Sequence, residues 1–246
     1  MAEVIQDEGI ILKVNNWQTA DKYAICFTKE HGKLRFISYG ARYARSVAGR
    51  LLQPFARLQL ELTLGQKVER LKNAELLVPP QTLDFKQMAY AAVATELTAV
   101  FTEDHQPQEE IYELLDAALL LMGQRNPRLV VLAYALQLLT YTGFQPQVLA
   151  CVTCGSLQPV EAECYFDPLQ GGLICKDCHQ GTGMEPFSSG ARQLWAHLQQ
   201  LDLRNPHSFT VKGGDLMELE KILYKFILCQ TDKPLHSINF LAQMGL

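Results

Sequence analysis

Two Cys-x-x-Cys pairs, Cys151-Val-Thr-Cys154 and Cys175-Lys-Asp-Cys178, stand 20 residues apart. A Cys-x-x-Cys turn presents two thiolates to one ion, and a second turn closes the tetrahedron. The separation is at the upper edge of the usual range for structural zinc. Four thiolates leave no open coordination position, so the expected ion is structural Zn2+ rather than a catalytic one. Gly155 follows the first pair where a knuckle needs a permissive backbone, and Gly171-Gly172 suits a hairpin that returns the chain to the second. Phe166 and Leu173 are candidates to pack around the metal. Two disulfides and a redox Cys-x-x-Cys are the alternatives. Of the other cysteines, Cys164 lacks a partner at ligand spacing, and Cys26 and Cys229 sit in apolar patterns that read as small core residues. His179 adjoins Cys178, where strain disfavours it as a substitute ligand.

A second constellation lies near the N-terminus. Gly40-Ala-Arg-Tyr-Ala-Arg-Ser-Val-Ala-Gly-Arg50 holds Arg42, Arg45 and Arg50 and no acid. Lys29, Lys33 and Arg35 precede it, Arg57 follows, and no acid occurs between Glu30 and Glu61. Guanidinium forks match phosphate oxygens, and glycines let a loop follow a nucleic-acid backbone. Tyr39 and Tyr43 lie among these charges and could stack unpaired bases. A solvated basic loop with its tyrosines packed on the fold, Tyr39 above all, is the bland alternative.

Catalytic signatures are missing. There is no phosphate-binding Gly-x-x-x-x-Gly-Lys-Ser/Thr, no Gly-x-Gly-x-x-Gly, no Gly-x-Ser-x-Gly and no His-Glu-x-x-His. The six histidines are scattered, and none stands in a motif with a nucleophile. The sequence gives no argument for an enzyme.

The elements that must hold these groups change character at Pro79-Pro80. Before it come about five segments with strand periodicity. They are Gly9–Val14, Tyr23–Phe27 (Tyr23, Ile25 and Phe27 alternating with Ala24 and Cys26), Leu34–Tyr39, Leu58–Leu64 and Val68–Leu77. Five short strands suit a small closed barrel, either an OB barrel or an SH3-like one. After the prolines, apolar residues recur at helical spacing in Phe85–Val100, Ile111–Met122 and Leu129–Thr142, the last apolar nearly all round and so buried among others. Gly143 is a candidate C′ residue for that third helix. Beyond the cysteines, Ser188 or Ser189 can cap a helix carrying Leu194, Trp195, Leu198 and Leu201. Another helix spans about Asp215–Cys229, and a short one falls within Leu235–Leu246. These apolar stripes read as core, although a long one can also groove a partner peptide.

The expected fold class is therefore α+β: a five-stranded barrel over 1–80, then an all-helical part over 81–246 with a four-cysteine zinc module inserted at about 147–186. The 246 residues are 48% apolar and 20% charged, the composition of a globular protein. The net charge of −4 hides an asymmetry: residues 1–80 hold 12 Lys/Arg and 8 Asp/Glu (+4), the remainder 10 and 18 (−8). A basic front on an acidic body favours a polyanion docking at the front. The N-terminus lacks the basic and apolar regions of a secretory signal, and Leu129–Tyr141 is too short to span a bilayer. The chain reads as cytoplasmic, where cysteines are thiols or metal ligands.

Several segments in series resemble the bacterial RecO family of recombination mediators. They are Glu8-Gly-Ile-Ile-Leu-Lys13, Asp21-Lys22, Phe27-Thr-Lys-Glu-His-Gly-Lys-Leu-Arg35, Gly40-Ala-Arg42 and Leu52-Gln-Pro-Phe55. Leu139-x-x-x-Gly143-Phe144-x-Pro146 and Phe166-x-x-x-x-Gly171-Gly172 then lead into the two cysteine pairs. The resemblance runs the length of the chain in order. It implies an OB domain followed by a helical domain with a zinc-finger-like insertion. It also implies binding of single- and double-stranded DNA, annealing of complementary strands, and loading of the recombinase RecA together with RecR and single-stranded-DNA-binding protein. It implies no enzymatic step, and a bacterial, nucleoid-associated cytoplasmic setting. The family's basic contacts carry over onto Lys33, Arg35, Arg42, Arg45 and Arg50. The family's C-terminal Ser-x-x-Phe-Leu is present as Ser237–Leu241, with His236 where many members have a stronger base. An RNA-binding OB protein of translation or RNA processing is the competing reading.

Overall fold

The computed structural model describes residues 3–181 and 183–245. Five strands close into a barrel: β1 (Val4–Trp17), β2 (Asp21–Thr28), β3 (Gly32–Ser38), β4 (Arg57–Thr63) and β5 (Glu69–Leu76). Their order is β1-β2-β3-β5-β4, with β1 returning to β4 and β3 meeting β5 in parallel. That order belongs to the OB barrel and separates it from the SH3-like alternative. Closure depends on the length of β1. Its first half pairs with β4 and its second half with β2, and a register break between Ile11 and Lys13 lets the strand turn from one partner to the other.

The barrel interior is filled by Ile11, Ala24, Cys26, Leu34, Phe36, Leu52 and the alternate residues Leu58, Leu60 and Leu62. The alternation in β2 has a specific outcome. The small residues Ala24 and Cys26 face inward, while Phe27, paired with Ile10, is buried outside the barrel cluster. The reason is a helix, α2 (Phe85–Phe101), which packs on β1 and β2 and gives those strands a second buried face. Asp84 starts α2 through a capping box: its carboxylate accepts from Gln87 N at 2.8 Å, and Gln87 Oε1 accepts from Asp84 N at 2.8 Å.

Further helices follow as the periodicity predicts: α3 (Glu109–Met122), α4 (Pro127–Tyr141), α5 (Ser189–Gln200), α6 (Gly213–Cys229) and α7 (His236–Met244). One five-residue helix, α1 (Val47–Leu51), lies inside the arginine loop, where only loop was expected. Gly143 adopts φ +79° directly after α4, as a C′ glycine should. Between α4 and α5 a small sheet forms from β6 (Cys164–Asp167), β7 (Gly172–Cys175) and the two-residue β8 (Glu185–Pro186).

Strands give way to helices at Pro79-Pro80, yet the compact units of the chain divide between Pro127 and Arg128, so α2 and α3 belong with the barrel. Among the described residues no helix is long and apolar enough to cross a membrane.

Candidate nucleic-acid interface and metal centre

The arginine loop leaves β3 through Tyr39 and Gly40 and is tied to the β1–β2 turn. Gly40 N donates to Asp21 Oδ1 at 2.8 Å, and Arg42 N donates to Ala20 O at 2.9 Å. Ser46 caps α1 by accepting from Gly49 N at 3.0 Å. Lys22 Nζ donates to Gly49 O (2.7 Å) and Leu52 O (3.1 Å), satisfying carbonyls at the other end. Gly49 has a packing role beyond flexibility: a Cβ there would lie 1.8 Å from Ala41 O. The loop is therefore a built platform rather than a loose strap.

The basic residues of the barrel fall into two sets. Lys29 pairs with Glu109 at 3.0 Å, Arg35 with Asp104 at 3.0 Å and Arg57 with Asp116 at 2.7 Å. Lys33 turns inward. Its side chain is 6% exposed, and Nζ donates to Ala99 O (2.7 Å) and Thr102 O (2.5 Å) beside Asp104 at 3.3 Å. Burial pushes its pKa down, against the pull of Asp104. Lys33 is thus corrected from a DNA contact to an anchor between β3 and the end of α2, since a phosphate has no access to it. Arg42, Arg45 and Arg50 are exposed, and among the described residues none makes an ion pair. Arg42 spends part of its fork on Gln18 O (3.2 Å) and Thr19 O (2.9 Å), leaving other donors to solvent.

Tyr39 and Tyr43 are 60% and 68% exposed, so Tyr39 is not a core residue. Sequence reasoning passed over Trp17, which ends β1 beside the same turn and lies 5.8 Å, ring to ring, from Tyr23. An exposed aromatic at a hairpin tip, next to a basic loop, was the available signal. His236 opens α7 and is exposed.

The four predicted ligands come together. The Sγ atoms of Cys151, Cys154, Cys175 and Cys178 all lie within 4.8 Å of one another. The first pair sits on a knuckle in which Gly155 N donates to Cys151 O at 2.8 Å, with Gly155 at φ +74°. The second pair is delivered by the β6–β7 hairpin, Cys175 ending β7 and Cys178 closing a 3₁₀ turn. Val152 N donates to Leu173 O at 2.9 Å and ties the knuckle to the hairpin. Zinc–thiolate bonds of about 2.3 Å imply a tetrahedron edge of about 3.8 Å. Cys154 Sγ and Cys175 Sγ are 3.8 Å apart. No disulfide joins any of the seven cysteines, and these four sulfurs form one cluster rather than two bonded pairs.

Their protonation is uneven. Burial raises the Cys151 thiol, but backbone N–H donors at Cys175, Cys154 and Thr153 outweigh it and hold the pKa at about 6. Cys178 is pushed up to about 12, first by Cys175 and then by Cys154. A hydrogen-bonded cluster of this kind accommodates four negative charges only around a cation.

One supporting contact differs from expectation. Phe166 shares a face of the hairpin with Cys175 and lies edge-on to Phe187 (5.8 Å) and Phe226 (6.0 Å) and tilted to Trp195 (6.0 Å), so it fastens the module to α5 and α6. Cys229 is exposed on the last turn of α6 rather than in the core, whereas Cys26 is buried as expected. Buried Arg192 of α5 donates to the carbonyls of Gln158 (2.8 Å), Pro159 (2.6 Å) and Val160 (3.1 Å). His179 stacks on Tyr165 at 3.7 Å.

Comparison with known proteins covers both parts of the chain. Residues 1–80 match the family model described as Recombination protein O N terminal, and residues 82–238 that described as Recombination protein O C terminal. The chain is 34% identical over 241 residues to the DNA repair protein RecO of Symbiobacterium thermophilum, covering 95% of each. It is 28% identical over 244 residues to that of Desulforudis audaxviator, covering 98% of this chain and 97% of the relative. Identity to the RecO of Desulforamulus reducens is 27% over 241 residues, covering 96% and 93%.

Proposed function

From the premise that the chain belongs to the RecO family of DNA repair proteins, we propose that it is a recombination mediator working by binding alone. It holds single- and double-stranded DNA, anneals complementary strands and, with RecR, helps load RecA onto DNA coated by single-stranded-DNA-binding protein. It does so in the bacterial cytoplasm, at the nucleoid, without a covalent step. The observation that carries this reading is the trio Arg42, Arg45 and Arg50, exposed on a braced loop and free of ion pairs among the described residues, while Lys29, Arg35 and Arg57 are paired. Cations already paired have little left to give a phosphate; unpaired ones gain a partner and release counterions. Residues 1–80 are the nucleic-acid module in this reading.

The thiols of Cys151, Cys154, Cys175 and Cys178 hold one structural Zn2+, which the 3.8 Å edge and the all-sulfur donor set fit. When bound, the ion fixes the knuckle to the hairpin. No substrate position is left open at it.

The test is anisotropy binding to a single-stranded DNA oligonucleotide across a salt series, with matching RNA as competitor. Affinity falling with salt and no preferential displacement by RNA is expected. An absence of binding at low salt refutes the reading, and selective displacement by RNA points instead to an RNA-binding protein.

A further inference from the structure

The hairpin end of the barrel carries a second surface beside the arginine loop. Strand pairing places Asn15, Tyr23, Ile37 and Arg70 in one row across β1, β2, β3 and β5, with Lys13, Ile25 and Arg35 in the next. Side chains two apart on a strand share a face, so Trp17 lies on the side of Lys13 and Asn15. Phe36 and Leu34 fill the barrel on the opposite side of the same strand. The centre of this outer face is therefore apolar: Ile25, Ile37 and Tyr23 are half-buried, and Trp17, 44% exposed, tilts at 36° over Tyr23. Its rim is basic. Lys13 and Arg70 are exposed without ion pairs among the described residues, and Arg42 is latched to the turn that follows Trp17. Asp21, the carboxylate in register with Trp17, is turned to the backbone of Gly40.

We infer that this face takes unpaired bases of single-stranded DNA, with Trp17 as the stacking residue and Tyr23 as its support. Two properties select the occupant. The unpaired cations of the rim disfavour the same face of a second copy and attract a polyanion. The exposed flat ring of Trp17, beside the apolar centre, rewards a planar group, and a duplex keeps its bases stacked on one another and out of reach. Phosphates then run along Lys13, Arg70 and the arginine loop while bases lie on Trp17. The inference rests on the proposed DNA-binding function and divides it: the arginines supply affinity for any strand, and Trp17 supplies the preference for a single one.

The molecule provides its own probe. Of its two tryptophans, Trp195 is 1% exposed against Phe166 and Phe187 and stays silent, so a change in emission on adding DNA reports Trp17. Oligo(dT) should quench the Trp17 emission, while an abasic oligonucleotide of equal length and charge binds through its phosphates without quenching. Trp17→Ala should weaken oligo(dT) binding about five- to hundredfold. It should leave abasic and duplex binding and the thermal midpoint unchanged, and Trp17→Phe should restore most of the loss. Oligo(dT) binding seen by anisotropy with unchanged emission, or equal oligo(dT) affinity in Trp17→Ala, overturns the stacking role and leaves the arginine-loop reading standing. If no oligonucleotide binds at low salt, both fall together.

Discussion

Lys33 and Arg45 are both cations near the N-terminal barrel, and the structure assigns them opposite behaviour on removal. Arg45 is exposed on a braced loop. Each phosphate of a single strand that goes without its cation should reduce the slope of log affinity against log salt by about 0.7. Between 50 and 200 mM salt, that is a change of about 2.5-fold in how far affinity falls. Arg45→Ala should show this shift with an unaltered unfolding midpoint. Lys33→Ala removes the donor shared by Ala99 O and Thr102 O and leaves Asp104 beside a void. Stranding buried acceptors costs about 1–3 kcal/mol, so this variant should lose stability in that range while keeping the wild-type salt slope. Denaturant titration and salt-dependent anisotropy on both variants separate the two behaviours. A Lys33→Ala protein of full stability and flattened salt slope would refute the sorting of cations by their partners, and with it the anchoring role of Lys33.

Other expectations test separate parts of the fold. Phe166→Ala should destabilise by about 3–5 kcal/mol in denaturant titration, because its ring is buried against Phe187, Trp195 and Phe226. Asp84→Ala should cost about 1 kcal/mol by removing the capping box of α2. Purified protein should carry one zinc per chain by elemental analysis, and Cys175→Ser should lower that content; full occupancy in the variant would contradict the ligand set. Burial raises the Glu185 carboxyl, but Lys221 and Lys225 outweigh it and hold the pKa below its usual value. A depressed carboxylate stabilises above the ordinary carboxylate range and loses that contribution as pH falls through its own depressed pKa. Wild type and Glu185→Gln should therefore differ in thermal midpoint near neutrality and converge only in acid well below the ordinary Glu pKa of about 4.3.

The parts of this structure that local periodicity encodes were legible from the chain. Leu58, Leu60 and Leu62 alternate into the barrel, Asp84 and Ser188 start their helices, and the two cysteine pairs close on each other. What escaped was decided by segments far away in sequence. Lys33 looks like its neighbours until Asp104, carried on the loop after α2, folds over it. Phe27 belongs outside the barrel only because α2 covers it. Cys229 falls on the exposed side of α6 although its neighbours Phe226 and Ile227 are buried, and Trp17 lies beyond the apolar run that defined its strand. A one-dimensional pattern reports that a residue is apolar or charged, not which distant group arrives beside it.

The double engagement of β1 also bears on how the barrel assembles. The β1–β2, β2–β3 and β4–β5 pairs are hairpins that form between neighbours, whereas pairing Val4 with Thr63 must wait for both ends of the barrel sequence to meet. Closing long loops is slow, so this seam should be the last to form and the first to open. Until it forms, β4 offers an unpaired edge to other chains, which makes the first few residues of β1 guardians against aggregation during synthesis.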